Sequence, residues 1–285
     1  MAAAPGTVGV VGGGRMGAGI AQSFATAGSA VVVVESGEEA AAAALERVAT
    51  GLRRAAERGR LEEPAERVLA RVTTVTAVDG LPAGADLVVE AVPEDPALKA
   101  RLLAAVERAV GGSAVLATNT SSLSVTELGA ALARPDRFLG MHFFNPVPAS
   151  ALVELVVAGR TADDTVRAAL EWTRALNKKD VVVRDSPGFA SSRLGVALGL
   201  EAIRMVEEGV AEPEAIDAAM SLGYKHPMGP LRLTDLVGLD VRLAIAEYLH
   251  GALGERFAPP ELLREKVARG ELGRKTGRGF YTWED

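Results

Sequence analysis

Cysteine is absent from the 285 residues, which excludes disulfides, a thiol nucleophile and a thiolate metal site. Histidine occurs three times, too seldom for an imidazole-rich metal centre, so no metal is expected. No run of apolar residues approaches the ~20 that a membrane span needs. The start, Met1-Ala-Ala-Ala-Pro5-Gly6, lacks the basic and apolar regions of a signal peptide. No membrane partner is therefore expected, and a cytoplasmic location follows by default. Positive charge is in deficit, with 31 Lys and Arg against 37 Asp and Glu and a net charge of −6. That balance argues against nucleic acid as the main partner. What is present is enough apolar material for a substantial core, 48% of the chain, over a length that allows one large or two ordinary domains.

The remaining signals are organised around residues 7 to 17. Thr7 to Val11 is a β-branched run that reads as a buried strand. It passes directly into Gly12-Gly-Gly14-Arg15-Met16-Gly17, and then into Ala18, Ile20, Ala21, Phe24 and Ala25 at helical spacing. A strand, a Gly-x-Gly-x-x-Gly turn and a helix in that order point to a dinucleotide site. Gly12 permits the tight turn, Gly14 has no side chain to block a pyrophosphate, and Gly17 lets helix and strand approach closely. Free N–H groups at the helix start then face the phosphates. Val31 to Val34 reads as the second strand and Glu35 closes it, about 20 residues past the glycines, where an acid accepts the adenosine ribose hydroxyls. No arginine adjoins it in sequence to bind a 2′-phosphate, so NAD is favoured over NADP.

Strands and helices then alternate. Ser36-Gly-Glu-Glu39 has the form of a capping box opening a helix from about 38 to 59. Arg54 and Arg58 share a face near its end. They form either a solvated basic face or an anchor for a polyanionic substrate. Further strands are expected at 72–75, 85–89, 115–117, 138–141, 153–157 and 181–183, with Thr161 capping the helix before the last. Glu94 follows the fourth strand, and Lys99 lies on the helix that Pro96 opens. Thr118 to Ser122 is a hydroxyl-rich loop at a strand end. His142 closes the sixth strand beside Asn145, and Glu154 stands near the start of the seventh.

The alternation stops at Asp185-Ser186-Pro187-Gly188. The fold class read from this pattern is α/β. A Rossmann-type doubly wound, mainly parallel sheet occupies residues 1–185, and a smaller all-helical domain occupies 186–285. Leu194, Leu198, Ile203 and Val206 mark the apolar face of that domain's first helix. A helical domain of about 100 residues has much surface for its volume, which motivates a homodimer through it.

Several stretches together resemble one family, the L-3-hydroxyacyl-CoA dehydrogenases, in particular the bacterial 3-hydroxybutyryl-CoA type. They are the glycine turn, Asn119-Thr-Ser-Ser-Leu-Ser124, Gly140-Met-His-Phe-Phe-Asn-Pro-Val-Pro148, Asp185-Ser-Pro-Gly-Phe189, His226-Pro-Met-Gly-Pro230 and Gly273-Arg-Lys-Thr-Gly-Arg-Gly-Phe-Tyr281. The resemblance implies an oxidoreductase of lipid metabolism that uses NAD and an acyl-CoA. It implies His142 as general base, Glu154 as the acid that holds the imidazole, and Ser121 bonded to the reacting oxygen. It further implies Asn145 beside substrate and nicotinamide, Glu35 on the ribose, Glu94 and Lys99 lining the cofactor site, and Arg54 and Arg58 on CoA. The helical domain is expected to complete the substrate site. There the sequence departs from the family, which usually carries Asn where this chain has Ser192. Two other readings remain: a dehydrogenase of the same architecture acting on a non-CoA hydroxy acid such as a sugar acid, and a nucleotide-binding protein without turnover.

Overall fold

The computed structural model describes residues 3–284; Met1 and Ala2 of the start discussed above lie outside them. The chain divides into two compact units that part between Asp185 and Ser186. The first is a Rossmann-type α/β unit on an eight-stranded sheet, in the order β3-β2-β1-β4-β5-β6-β7-β8. Six strands run parallel: β1 (Thr7–Val11), β2 (Ala30–Val34), β3 (Val72–Val75), β4 (Leu87–Glu90), β5 (Val115–Thr118) and β6 (Phe138–Phe143). β7 (Leu152–Val157) runs antiparallel to β6, and β8 (Lys179–Arg184) lies parallel to β7 at the edge. The helices are α1 (Arg15–Thr26), α2 (Glu38–Glu57), α3 (Ala65–Leu69), α4 (Pro96–Ala109), α5 (Val125–Gly129) and α6 (Asp163–Ala175).

The inner strands are apolar throughout because a parallel sheet is covered on both faces. Val8, Val10, Val31, Val33, Leu87 and Val89 are buried together with Ile20 and Phe24 of α1. Phe24 meets Phe143 edge to face at 6.4 Å. That contact fixes α1 over the sixth strand.

Three local expectations change. Ser36 does not cap α2; the N-cap is Gly37, with no side-chain bond, because the first turn begins one residue later than the box requires. Thr161 does not cap α6 either, whose N-cap is Ala162. Its hydroxyl donates to the Phe138 carbonyl at 2.6 Å and accepts from the Ala158 N–H at 3.1 Å, so it ties the start of β6 to the end of β7. Finally, β6 continues past Met141 to Phe143, because β7 pairs with it that far. His142 therefore sits inside the strand rather than after it.

The second unit is helical: α7 (Ser191–Glu207), α8 (Pro213–Ala218), α9 (Pro230–Val237), α10 (Leu239–Leu253) and α11 (Glu261–Ala268). Gly238, at φ 104°, breaks α9 from α10 in a conformation that favours glycine. Val196, Leu200 and Ile203 of α7 enter a core with Leu231, Leu239 and Leu249. Leu194 does not join them; it is 70% exposed, on the opposite side of α7. Among the described residues no helix is long and apolar enough to cross a membrane.

Candidate functional site

The candidate side chains of the first unit, Arg54 and Arg58 apart, lie toward the carboxyl ends of the parallel strands, where doubly wound sheets bind ligands. The glycine turn after β1 comes first. Gly12 has φ 93°. A Cβ on Gly17 would stand 1.7 Å from the Gly12 carbonyl oxygen, whereas one on Gly14 would have nothing within 4 Å. The first glycine shapes the turn, the third admits the helix, and the second leaves open space at the start of α1. No side chain caps α1, so its first N–H groups point into that space. Arg15 is exposed at the turn, and Met16 packs on the core.

Glu35, just past β2, accepts the Gly13 N–H at 2.7 Å and the Ser36 N–H at 3.2 Å. An arginine is nearer in space than in sequence: Arg47 of α2 donates to the Gly13 carbonyl at 3.2 Å. The carboxylate nonetheless holds the strand end, where it would repel a 2′-phosphate.

Lys99, which the resemblance implies lines this groove, is held from within the protein. The side chain is 1% exposed and its ammonium is fully engaged. It donates to Glu90 at 2.7 Å and to the Val92 carbonyl at 3.1 Å, and pairs with Glu94 at 3.2 Å. Three acceptors match its three N–H donors. Glu90, equally buried, also accepts from the Thr118 hydroxyl at 2.6 Å and the Val92 N–H at 2.7 Å. Glu94 accepts from the Thr120 hydroxyl and from the Ser121 N–H at 2.9 Å. One buried cation thus holds two acids, which hold the ends of β4 and β5 and the backbone of Ser121. The Ser121 side chain is half-buried. The sequence signal for Glu90 was an acid at the end of an otherwise apolar strand.

His142 and Glu154 face each other directly across β6 and β7. Nδ1 of the imidazole lies 3.1 Å from Oε2 of the carboxylate. The residues are 5% and 1% exposed, and the Phe144 ring lies 4.4 Å from the imidazole. Adjacent strands place directly opposed side chains within bonding reach, so the reversal of strand direction makes this pair. The loop beyond is fastened at several points. Asn119 accepts the Phe143 N–H at 2.9 Å. Lys178 donates to the Val147 carbonyl at 2.7 Å and to that of Ser150, with burial lowering its pKa. Asn145 stands exposed at the start of this loop. Neither Asn119 nor Lys178 was singled out from the sequence.

Arg54, in the last turn of α2, and Arg58, at its C-cap, are both exposed. Arg53, the residue just before Arg54, pairs instead with Glu46 at 2.7 Å. Ser192 lies in the first turn of α7, half-buried, within the second unit.

Known proteins resemble the chain along its whole length. The family model described as 3-hydroxyacyl-CoA dehydrogenase, NAD binding domain, matches residues 7–186, and that of the same enzymes' C-terminal domain matches residues 188–283. A probable 3-hydroxybutyryl-CoA dehydrogenase of Deinococcus radiodurans is 44% identical over 276 residues, 96% of this chain and 99% of that protein. The crystal structure of FadB2 from M. tuberculosis superposes with a TM-score of 0.95 at 44% identity, covering 99% of this chain and 100% of that one. That of (S)-3-hydroxybutyryl-CoA dehydrogenase PaaH1 from Ralstonia eutropha gives 0.93 at 43% identity, over 99% and 100% of the two chains.

The buried web generates a prediction. Lys99→Met leaves Glu90 as an unpaired buried charge, so chemical denaturation should show a loss of about 3–5 kcal/mol. Unchanged stability with weakened NADH binding would instead make Lys99 a direct cofactor contact.

Proposed function

The chain belongs to the 3-hydroxyacyl-CoA dehydrogenase family, and on that premise we propose that it oxidises (S)-3-hydroxyacyl-CoA thioesters such as 3-hydroxybutyryl-CoA to 3-oxoacyl-CoA, reversibly and with NAD. The observation that carries this reading is the buried His142–Glu154 pair, 3.1 Å apart at the carboxyl end of the sheet. The glycine turn supports the cofactor: the space beside Gly14 fits a pyrophosphate, and Glu35 stands where the adenosine ribose would lie. When bound, NAD supplies the acceptor for the hydride leaving C3.

The chain's own residues handle the proton. His142 takes it from the 3-hydroxyl through Nε2 and returns it in the reverse direction, as an imidazole near neutrality is able to do. Glu154, on Nδ1, orients the ring and favours the imidazolium that forms. Ser121 bonds the reacting oxygen, and Asn145 flanks substrate and nicotinamide. Glu94 contributes by setting the Ser121 backbone, and Lys99 by holding Glu94. Arg54 and Arg58 bind the phosphates of CoA, which their exposure without a carboxylate partner supports among the described residues. Ser192 takes the place of the family's usual Asn with a shorter hydroxyl.

The working unit is a homodimer through the helical unit, supported by Leu194, Leu222 and Tyr224, exposed at 70%, 75% and 76%. The chain works in the cytoplasm.

His142→Ala should lower kcat on acetoacetyl-CoA by about 10²–10⁴-fold while NADH binding, followed by fluorescence, is retained. Free hydroxy acids should show no turnover with the unaltered protein. Turnover of those acids but not of acetoacetyl-CoA would identify a non-CoA dehydrogenase, and turnover of neither a silent nucleotide binder. Arg54→Ala with Arg58→Ala should raise KM for acetoacetyl-CoA about tenfold at low salt. It should have no such effect on the analogue lacking the CoA 3′-phosphate; equal effects on both would return these arginines to a solvated face.

A further inference from the structure

Within the helical unit one buried charge has no counterpart among the described residues. Arg242 of α10 is 5% exposed, and its Nε is buried without a hydrogen-bond partner. No ion pair or hydrogen bond of its guanidinium is present among the described residues. Burial alone pushes its pKa down to about 10. The buried acids of the unit are already committed. Asp217 accepts the Leu231 and Arg232 N–H groups and the Tyr281 hydroxyl, each at 2.8 Å. Asp235 accepts the Phe280 and Tyr281 N–H groups and the Trp283 indole N–H at 2.8 to 2.9 Å. Asp240, next in chain to Arg242's neighbour Val241, pairs with Lys275.

The guanidinium lies along one face of α7. Its Nε and Cζ are 3.5 and 3.6 Å from where a Cβ on Gly199 would stand, and Nη1 is 3.6 Å from that of Gly195. The two glycines make the room that the side chain occupies. The head group is therefore directed from Gly199 toward Gly195, toward the start of the helix. Ser192 is the next residue on that face, about 4.5 Å further along the axis. Thr234, packed against Gly199, also has a buried hydroxyl without a partner. A buried polar group left unpaired in a native structure calls for a ligand or ordered water. A buried cation calls for an anion.

We propose that Arg242, with Ser192, forms a site for a carboxylate at the free end of the substrate's acyl chain, so that the preferred substrates are short 3-hydroxyacyl-CoA thioesters carrying a terminal carboxylate. This rests on the dehydrogenase reading, in which the helical unit completes the substrate site and Ser192 stands where the family usually has Asn. Guanidinium is matched to a carboxylate by its paired, planar donors. Ser192 is shorter than the family's usual Asn, so it fills less of that face and offers a hydroxyl to the same group.

The test compares C5 and C6 3-hydroxyacyl-CoA thioesters ending in methyl or in carboxylate, with NAD, on the full chain. A hydrogen bond to a charged partner predicts a kcat/KM ratio favouring the carboxylate by about 10- to 100-fold. Arg242→Met should bring that ratio to about one, and Arg242→Lys should keep part of the preference, with thermal denaturation of each variant confirming its fold. No preference in the unaltered protein would overturn the proposal, and so would a preference that survives in Arg242→Met. A third overturning result is a variant whose oligomeric state shifts while its ratio does not, which would give the arginine to a carboxylate of a second copy. If Arg242→Met does not fold, Arg242→Lys decides: a lowered ratio supports the site, and a ratio equal to that of the unaltered protein overturns it. The dehydrogenase reading fails separately, by absence of NADH formation on every thioester in the panel.

Discussion

A carboxylate buried against an imidazole is the interaction on which the remaining structure depends. Neither residue is stable alone in that place: Glu154 without a partner would be a charge in an apolar sheet, and such charges are retained only when paired. The pair exists because the sheet changes direction between β6 and β7. Were the seventh strand parallel, its start would lie at the far end of the sheet, away from the glycine turn. The antiparallel return brings Glu154 opposite His142 at the same end as Gly12, Glu35 and Ser121. The edge strands therefore do more than cover the sheet; they place the proposed base.

A second buried charge organises the neighbouring loops. Lys99 draws Glu90 and Glu94 together, and through them the ends of β4 and β5 acquire one geometry. Loops at strand ends are ordinarily the mobile parts of such a fold. In this molecule their backbone N–H groups and hydroxyls are tied to carboxylates whose own charge is balanced below. The helical unit handles its charges differently. Asp217 and Asp235 fasten the terminal segment, and Arg242 is left as a buried cation whose Nε has no partner among the described residues.

Much of the architecture was legible in the sequence because it rests on local patterns. The β-branched runs, the Gly12-to-Gly17 turn and the shift from alternating to helical periodicity after Asp185 each have a local physical cause. What escaped was what depends on distant pairing. Ser36 and Thr161 look like caps by composition, yet the helices begin one residue later. The acceptors of Lys99, Glu90 and Glu94, surround it only once the helix folds back. Arg47 reaches the glycine turn from a helix that sequence spacing does not connect with it. Arg242 carries no signal at all in the sequence, where it reads as one more charged residue on an amphipathic helix; only its burial beside two glycines of another helix gives it meaning. The candidate side chains on β6 and β7 were legible as types, a His and an acid at strand ends, while their mutual geometry required the register.

The most direct measurement is the turnover of Glu154→Gln with acetoacetyl-CoA and NADH. Glutamine keeps the shape and a hydrogen bond but removes the charge that favours imidazolium. The account predicts a fall in kcat of about 10²-fold or more with the thermal midpoint and NADH affinity near those of the unaltered protein. A kcat equal to that of the unaltered protein would contradict it, because the carboxylate would then have no part in the proton's path.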